Sequence, residues 1–380
     1  MTRALSLNLG LTLTVLALVA CDETSTPMEA GTAPEQPLAT RSFAFPSNTW
    51  YAVAAMPAEF RSEAHPFGLW RFDLAAGVVT TATGGSTVYV LGGRFEQAPT
   101  DIPATTILAW DVSTLSWTTK AARFTGAATN GIGQIDGKLY ISGGANFSGQ
   151  SQQWTSKSAR LFAYDVAGDR MIRKADMPRG TAEGVTGVMN GKLYVLAGRC
   201  QEDFCRRFYR YDPATNAWTT LPPAPNSHRH GAGAVLNGKF YVAGGGSFPF
   251  RSFDVYDPVK NAWQTLGVIP RRRQFAVGAA VGGSFHVIGI AGADRGAGSQ
   301  TTDRNTLAYH PATNTWSDKT PFPGPVGEGG QFLLRPAAAV RVALDGIPCI
   351  LTVGSGHLFT DDTVKPAGTI DPTVSYIFTP

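Results

Sequence analysis

The stretch YDPATNAW at residues 211–218 returns as YDPVKNAW at residues 256–263 and as YHPATNTW at residues 309–316. In each copy an aromatic residue is followed seven positions later by a tryptophan, and an asparagine lies two positions before that tryptophan. Similarity of a chain to itself at a regular spacing is the signature of a repeat architecture. The chain is therefore predicted to consist of repeated supersecondary units.

A second mark, an apolar segment that ends in glycine, alternates with the first. Its copies are VYVLGG, LYISGG, LYVLAG, FYVAGG, FHVIGI and ILTVGSG, at residues 88–93, 139–144, 193–198, 240–245, 285–290 and 350–356. Asn237-Gly238 and Asn190-Gly191 precede two of these segments, and such pairs favour the tight turn of a β-hairpin. Each unit is thus predicted to contain four strands, in the order small-residue, glycine-ended, aromatic and tryptophan strand.

The bulk composition agrees with an all-β fold. The 380 residues include 43 Gly and 25 Pro, 11% are aromatic and only 16% are charged, and no long run has helical periodicity. Many short strands joined by tight turns have this composition, whereas disordered chains and helical bundles do not.

The glycine-ended strand, the tyrosine and the spaced tryptophan together resemble the kelch repeat, over roughly residues 47 to 380. The resemblance implies a β-propeller, and six glycine marks imply six blades. SNTW at residues 47–50 matches TNTW at residues 313–316, and the last unit stops at residue 380 without a tryptophan strand. The N-terminal strand is therefore expected to complete the last blade. Seven blades is the alternative, because residues 58–84 could contain a decayed strand pair.

The first residues are expected to form an export signal. Residues 1–20 contain one basic residue and then an apolar run, and LVAC at residues 18–21 resembles the lipobox of bacterial lipoproteins. The resemblance implies lipid attachment to Cys21, with an ordinary secretory signal as the alternative. Residues 21–45 are expected to be a flexible tether and residues 46–380 the propeller. The predicted location is the cell envelope, on the periplasmic side or the cell surface, with the membrane reached through the lipid.

Charge and cysteine content limit the functional classes further. Without the signal peptide the net charge falls from +4 to about +3, too little to indicate nucleic-acid binding. Cys200 and Cys205 are close enough to form a disulfide in an oxidising compartment, and a metal pair is the alternative. Cys349 lies in an apolar segment and is expected to be a buried, unreactive thiol.

Function is expected at the loops that lead into the inner strands and follow the second strands, because these loops open on one face of a propeller. Aligning the repeats puts Glu183 and His230 in one row, together with Thr129 and Phe275. A Glu–His pair there could act as acid and base. The arginines predicted to bind a ligand beside it are Arg94, Arg123, Arg199, Arg229 and Arg273. The alternative is a solvated rim whose arginines bond to loop carbonyls.

No metal or cofactor is predicted. His228 and His230 would share one side of a strand, but two ligands without a third make a weak metal signal. The Cys–Tyr and His ligands of galactose oxidase, a copper enzyme with kelch blades, cannot be placed in this chain.

Two functions follow from these observations. The first is a monomeric, envelope-anchored module that binds a carbohydrate or a protein partner. The alternative is an enzyme that acts on sugar acids, because the chain resembles exported six-bladed sialic-acid mutarotases in size class, blade number and compartment. Fold alone does not decide between them.

Overall fold

The computed structural model describes residues 46–55, 71–72, 74–80, 85–95, 102–125, 131–148, 153–200, 204–246, 250–290, 303–323, 335–344, 346–356 and 374–380. The predicted signal peptide, the lipidation site Cys21 and the tether at residues 21–45 lie outside these ranges. The described residues form strands and turns, and none of them belongs to a helix that is long and apolar enough to cross a bilayer.

The strands are numbered in chain order. The first fourteen are β1 (Thr49–Ala55), β2 (Arg71–Phe72), β3 (Ala75–Thr80), β4 (Ser86–Leu91), β5 (Arg94–Phe95), β6 (Ile102–Pro103), β7 (Thr106–Asp111), β8 (Ser116–Arg123), β9 (Gly131–Ile135), β10 (Lys138–Ser142), β11 (Ala145–Ser148), β12 (Gln153–Lys157), β13 (Leu161–Asp165) and β14 (Arg170–Lys174). The others are β15 (Val185–Met189), β16 (Lys192–Leu196), β17 (Phe208–Asp212), β18 (Ala217–Leu221), β19 (Ala232–Leu236), β20 (Lys239–Ala243), β21 (Ser252–Asp257), β22 (Ala262–Val268), β23 (Gln274–Val281), β24 (Ser284–Ile290), β25 (Asn305–His310), β26 (Thr315–Pro321), β27 (Arg335–Leu344), β28 (Ile347–Gly356) and β29 (Val374–Thr379).

Six antiparallel sheets of four strands each form the blades of a propeller. Blades 1 to 5 have the strand orders β3-β4-β7-β8, β9-β10-β13-β14, β15-β16-β17-β18, β19-β20-β21-β22 and β23-β24-β25-β26, and blade 6 has the order β27-β28-β29-β1. Each inner strand contacts the inner strands of both neighbouring blades, and β27 contacts β3, so the ring is closed. The predicted six-bladed, all-β fold is confirmed.

The hydrophobic core lies between the blades. Six buried clusters are each shared by two adjacent blades, and one of them joins blade 6 to blade 1 through residues such as Leu351 and Trp110. A single blade leaves both faces of its sheet uncovered, so burial requires the neighbouring blades. Trp110, Tyr164, Tyr211 and Tyr256 of the aromatic strands are almost completely buried in these clusters.

The N-terminal strand closes the ring, as predicted. Strand β1 pairs antiparallel with β29, with Trp50 opposite Phe378. Trp50 also packs edge-on against Phe322 of blade 5, with ring centroids 5.1 Å apart. The described parts of residues 58–84, where a seventh blade was the alternative, form β2 and the inner strand β3 of blade 1. The edge that β29 would otherwise expose is therefore covered.

The repeated Tyr, Asn and Trp hold one residue of the preceding blade. In blade 3 the Asn216 Oδ1 atom accepts the N–H of Ala175 in blade 2 at 3.0 Å, and Trp218 Nε1 donates to the carbonyl of the same Ala175 at 2.9 Å. Tyr211 Oη donates to the same Asn216 oxygen at 2.7 Å. Asn216 has a φ of 51°, a left-handed conformation that Asn tolerates better than most residues. We call this Asn–Trp pair a peptide clamp.

The peptide clamp recurs at the seam between the first and last strands of the chain. Asn48 Oδ1 accepts the N–H of Thr320 at 3.0 Å, and Trp50 Nε1 donates to the Thr320 carbonyl at 3.1 Å. Asn48 has a φ of 55°. Residues from the start of the chain thus grip blade 5 in the same way that blade 3 grips blade 2.

Other blades carry partial clamps. In blade 2 the Asp169 carboxylate takes the place of the Asn amide and accepts the N–H of Ala121 at 2.9 Å, while Met171 stands where the tryptophan would be. In blade 4 Trp263 Nε1 donates to the carbonyl of Pro222 at 3.0 Å, and Pro222 has no N–H to offer. The repeat therefore encodes contacts between blades, and its chemistry is structural.

Two of the loops that follow second strands carry additional strands. Strand β5 pairs with β2 and β6 beside blade 1, and β11 and β12 form a hairpin beside blade 2. The base of this hairpin bonds to the loop that leads into blade 3, because Gly144 N–H donates to the Thr181 carbonyl at 2.8 Å and Thr181 N–H to the Ser158 carbonyl at 3.1 Å. The hairpin is thereby fixed against the loop that carries Glu183.

We predict that Trp50→Ala lowers the free energy of unfolding by about 3–5 kcal/mol, since it removes a large aromatic side chain from the core and half of the clamp at the seam. Denaturant unfolding monitored by circular dichroism would measure the loss. Val259→Ala is the control, because Val259 is 92% exposed and its replacement should change stability by less than about 0.5 kcal/mol. Equal unfolding midpoints for Trp50→Ala and the unaltered chain would contradict the seam assignment.

His286 occupies the place that Tyr194 and Tyr241 hold in other second strands. Its side chain is 1% exposed and packs beside Phe378, with ring centroids 5.9 Å apart. Neither ring nitrogen has a hydrogen-bond partner among the described residues. Burial lowers the pKa of His286 to about 4, and the positive charge of Lys319 adds to the effect.

We predict that this histidine makes the propeller sensitive to acid. The pKa of His286 in the folded protein lies below 6.5, the value for a histidine in an unfolded chain, so the unfolded chain binds the extra proton. The contribution of His286 to the free energy of unfolding is then fully present above pH 6.5 and is lost as the pH drops toward 4. The expected loss between pH 8 and pH 5 is about 2 kcal/mol. His286→Tyr should remove this difference. Urea unfolding of both proteins at pH 8 and pH 5 tests the prediction, and parallel losses in both would refute it.

Candidate functional site

The loops leading into the inner strands lie directly against the glycines that end the second strands. A Cβ atom on Gly198 would come within 2.0 Å of the Glu183 carbonyl, and one on Gly246 within 1.9 Å of the Ser227 carbonyl. Any side chain at these two positions would displace the loop that passes over them. The glycine marks therefore serve to bring the loops that carry Glu183 and His230 onto the face of the propeller.

The row predicted from the repeats is a row of strained residues. Glu183, His230 and Phe275 have φ values of 57°, 57° and 49°, and Thr129 lies outside the described residues. The His230 N–H donates to the Glu183 carbonyl at 2.9 Å, and the Ala276 N–H donates to the His230 carbonyl at 3.0 Å. These main-chain bonds join blades 3, 4 and 5 and hold a conformation that such residues rarely adopt. Strain of this kind is concentrated at functional sites.

Side chains from this row and from the neighbouring loops converge on the Glu183 carboxylate. His230 Nε2 lies 3.2 Å from Oε2, Arg229 Nε donates to the same oxygen, and Arg199 Nη1 lies 3.8 Å from Oε1. The side chain of Glu183 is 3% exposed, whereas those of Arg199 and Arg229 are 22% and 26% exposed. We call Glu183, Arg199, Arg229 and His230 the Glu183 cluster. The structure thus brings together four of the residues singled out in the sequence.

The environment of Glu183 holds it ionised. Burial by itself would raise the pKa of this carboxyl, but the hydrogen bond and charge of His230 and the charge of Arg229 outweigh burial and lower the pKa to about 2. A role for Glu183 as a proton donor near neutral pH would need a raised pKa. That condition is not met, and Glu183 is instead suited to act as a fixed negative charge that orients its neighbours.

The cluster leaves several donors and acceptors directed away from Glu183. Arg229 uses Nε for the carboxylate, and its two terminal nitrogens have no hydrogen-bond partner among the described residues. His230 uses Nε2, and its ring lies 4.4 Å from the ring of Phe275. The cluster itself contains two arginines and one carboxylate. A guanidinium, an imidazole and an aromatic ring therefore share one partly exposed surface.

His228 anchors the loop that carries Arg229 and His230. Its ring is completely buried, with Nδ1 2.9 Å from the Gly244 carbonyl and Nε2 3.0 Å from Asp254 Oδ2. Burial would raise the pKa of Asp254, but hydrogen bonds, the one from His228 foremost, lower it. The ring is thus held between the main chain of Gly244 and the carboxylate of Asp254, both of which belong to blade 4.

The sequence interpretation of His228 therefore needs correction. The two histidines do not lie on one side of a strand, because residues 226–231 form a loop and His230 has a positive φ. One ring points toward Asp254 in the core of blade 4 and the other toward Glu183. Within the described ranges, no group of three or more His, Cys, Asp or Glu side chains is arranged to hold a metal ion.

A disulfide fixes the segment that follows Arg199. Cys200 and Cys205 are bonded to each other, are both buried, and pack against Ala197. The Cys205 N–H donates to the Gly198 carbonyl at 3.1 Å, and the main chain of Arg199 pairs with Ala182, next to Glu183. Cys349 is a free buried thiol whose pKa is raised by burial.

Two of the other predicted ligand-binding arginines, Arg273 and Arg123, are not part of the cluster. Arg273 is completely buried and donates to the Asn305 carbonyl at 2.6 Å and to Asp303, so it has no surface for a ligand. Arg123 ends the outer strand β8 and donates to three carbonyls of its own segment, at residues 120–122. The main chain of Arg94 belongs to β5, and its side chain lies outside the described residues.

Sequence reasoning missed Asp254, the partner of His228. Asp254 Oδ1 also accepts from Thr265 Oγ1 at 2.8 Å, and the Asn226 amide donates to both of its carboxylate oxygens at 3.1 Å. The available signal was an acidic residue, fully buried here, within the otherwise apolar and aromatic strand β21. A buried carboxylate requires a partner, and the loop with His228 supplies it.

Comparison with known proteins agrees with this architecture. The family model described as the KLHDC2/KLHL20/DRC7 Kelch-repeats domain matches residues 77–289. The solved structure of YjhT is similar with a TM-score of 0.56 and 17% sequence identity, over 76% of this chain and 91% of that one. At that identity the likeness concerns the fold alone. No curated protein sequence matches the chain. Because the family model covers more than half of its residues, the chain belongs to the kelch-repeat family.

Proposed function

We propose that this chain is a binding module whose ligand is an anionic carbohydrate, a sugar acid, held at the Glu183 cluster. The observation that carries the proposal is the state of Arg229. Its Nε is fixed by a carboxylate of low pKa, and its terminal nitrogens remain available to a ligand. A guanidinium offers a planar pair of donors that matches a carboxylate in both shape and charge.

The donors of Arg229 support an anionic ligand over a neutral one. Its two terminal nitrogens have no hydrogen-bond partner among the described residues, and a carboxylate can accept from both of them. The cluster is partly buried, and charge-assisted hydrogen bonds gain strength where water is excluded. The Phe275 ring beside His230 gives an apolar surface for the C–H face of a sugar ring. A protein carboxylate would offer the same charge without that ring.

An enzyme of the mutarotase type is the second candidate, and one observation favours it. A carboxylate, two arginines and a histidine meet at one point, as acid–base chemistry on a sugar acid would require. Opening and closing a sugar ring needs a group that takes up and returns a proton. A carboxylate with a pKa of about 2 is a weak base, so this role would fall to His230 rather than to Glu183.

We predict that calorimetry detects binding of sialic acid or of galacturonate and little binding of galactose. Arg229→Ala should weaken binding of the acid by about ten- to a hundredfold, because one charge-assisted contact contributes about 1.5–3 kcal/mol. Arg123→Ala is the matched control, since that guanidinium bonds only to carbonyls of its own segment and should leave affinity unchanged.

Three outcomes of this experiment separate the candidates. The proposal would be contradicted if Arg229→Ala left the affinity for the sugar acid unchanged, or if galactose bound with the same affinity as the sugar acid. NMR exchange spectroscopy on sialic acid tests the enzyme: faster exchange between anomers that His230→Gln abolishes would support mutarotation. Binding without faster exchange would leave a binding module.

We also propose that the propeller is held at the cell envelope by a lipid on Cys21. The signal-like residues 1–20 support this, and the disulfide between Cys200 and Cys205 supports an oxidising compartment. A single acyl chain binds membranes reversibly at about 0.8 kcal/mol per buried CH₂, so firm attachment requires more than one chain.

We predict that Cys21→Ser abolishes labelling by a radioactive fatty acid and releases the protein from the membrane fraction. The measurement is autoradiography of cells that express either form. Cys349→Ser is the control, because that thiol is buried in blade 6 and its replacement should not affect labelling. Lipid-labelled Cys21→Ser protein would contradict the anchor.

A further inference from the structure

Blade 5 carries the residues of a peptide clamp but does not grip blade 4 with them. Asn314 has a φ of 53°, and its Oδ1 accepts from Tyr309 Oη at 2.8 Å, as Asn216 accepts from Tyr211. Trp316 follows two residues later, where Trp218 follows Asn216. Among the described residues, however, Asn314 Oδ1 accepts no main-chain N–H from blade 4, and Trp316 Nε1 donates to no carbonyl.

The residue that blade 4 would offer to this clamp is Gly267. In blade 2 the gripped residue is Ala175, two positions before Met177. The Met177 N–H donates to the carbonyl of Ala159, five residues before Tyr164. In blade 4 the Ile269 N–H donates to the carbonyl of Arg251, five residues before Tyr256, so Gly267 is at the position of Ala175.

A β-bulge lies at Gly267. The pairing of β21 with β22 shifts register between Phe253 and Asp254, and Gly267, opposite Phe253, has a φ of 112°. A bulge bends the strand and turns its peptide groups away from their regular direction. Val268, the next residue, is 60% exposed, which is unusual for an apolar side chain of the described core strands.

A cleft of about 360 Å³ lies beside Trp316, lined by Pro270, Arg271, Trp316, Ser317 and Asp318. Its volume is at the lower end of the range for ligand sites. Arg271 Nη2 is 2.7 Å from Asp318 Oδ2, and Arg271 Nη1 is 3.2 Å from Asp303 Oδ2. Arg273 Nη2 also lies 3.3 Å from Asp303 Oδ1, so two arginines face two aspartates, and the cleft is better matched to a neutral polar group than to an ion.

We propose that the Asn314–Trp316 clamp binds a peptide group of an extended segment from another protein. The two complete clamps of this chain show which chemistry an Asn–Trp pair of this geometry recognises: the N–H and C=O of one residue in an extended strand. In blade 5 the Trp316 N–H donates to the carbonyl of the incoming segment, and Asn314 Oδ1 accepts its N–H. The segment runs along the outer edge of the propeller, as in other cases of strand addition.

The inference is independent of the sugar-acid proposal, since it uses other residues at the periphery of blades 4 and 5. A capped synthetic peptide with the sequence MIRKADM, residues 171–177, is a suitable probe because it contains the Ala175 that blade 3 grips. Binding is followed by the indole N–H signal of Trp316 in ¹⁵N–¹H NMR spectra of the whole propeller, assigned by its loss in Trp316→Phe.

We expect the peptide to shift the Trp316 indole signal in a saturable way at up to millimolar concentrations. Asn314→Gly keeps the positive φ but removes the acceptor, and should weaken binding about fivefold, the effect of one neutral hydrogen bond. The same peptide N-methylated at Ala175 should bind more weakly to a similar extent. Trp263→Phe is the matched control and should not affect binding, because that indole already donates to Pro222.

Three results would overturn the inference: no shift of the Trp316 signal, equal binding of the N-methylated peptide, or a shift caused by methyl glucoside and not by the peptide. The last result would assign the cleft to a saccharide. Thermal unfolding of Asn314→Gly and Trp316→Phe shows whether each variant is folded, and Trp316→Phe keeps an aromatic ring against Phe253.

Discussion

The burial of apolar faces between neighbouring blades is the constraint on which the rest of this propeller depends. A blade of four short strands cannot bury its own apolar faces, so its stability comes from its neighbours. The apolar clusters supply most of that stability, but they are tolerant of small rotations between blades. The hydrogen bonds from Asn216 and Trp218 to Ala175 have defined directions, and they fix one blade relative to the next.

The same constraint explains the use of the first strand. A ring of blades must close, and closure by hydrogen bonds requires strands from both ends of the chain in one sheet. Strand β1 brings Asn48 and Trp50 to blade 6, and through them a complete clamp onto Thr320 of blade 5. The closed ring also fixes the positions of the loops on the face of the propeller. Glu183 and His230 keep left-handed conformations because main-chain bonds between blades hold them there.

The Glu183 cluster illustrates how rigid loops change the chemistry of ordinary residues. A carboxylate that is almost fully buried would normally favour its neutral form, yet a histidine and an arginine from the adjacent blade keep Glu183 ionised. His228 and Asp254 form a second buried pair beneath the same loop. Arg229 and His230 are therefore held both by Glu183 and by this pair.

Local sequence was sufficient to predict the repeat, the strand types, the six blades and the closure by residues 47–50. Turns and strands depend mainly on residues that are close together in the chain, so their patterns are visible in the sequence. The row that contains Glu183 and His230 could also be aligned from the repeat, which places equivalent residues at equivalent heights. The roles of individual arginines could not. Arg273 and Arg229 both stand in basic loops before inner strands, but Arg273 turns inward to Asp303 while Arg229 reaches Glu183 in another blade. The pKa of Glu183, the burial of His228 against Asp254 and the unused clamp of blade 5 depend on distances between residues far apart in the chain. Only the closed ring sets those distances.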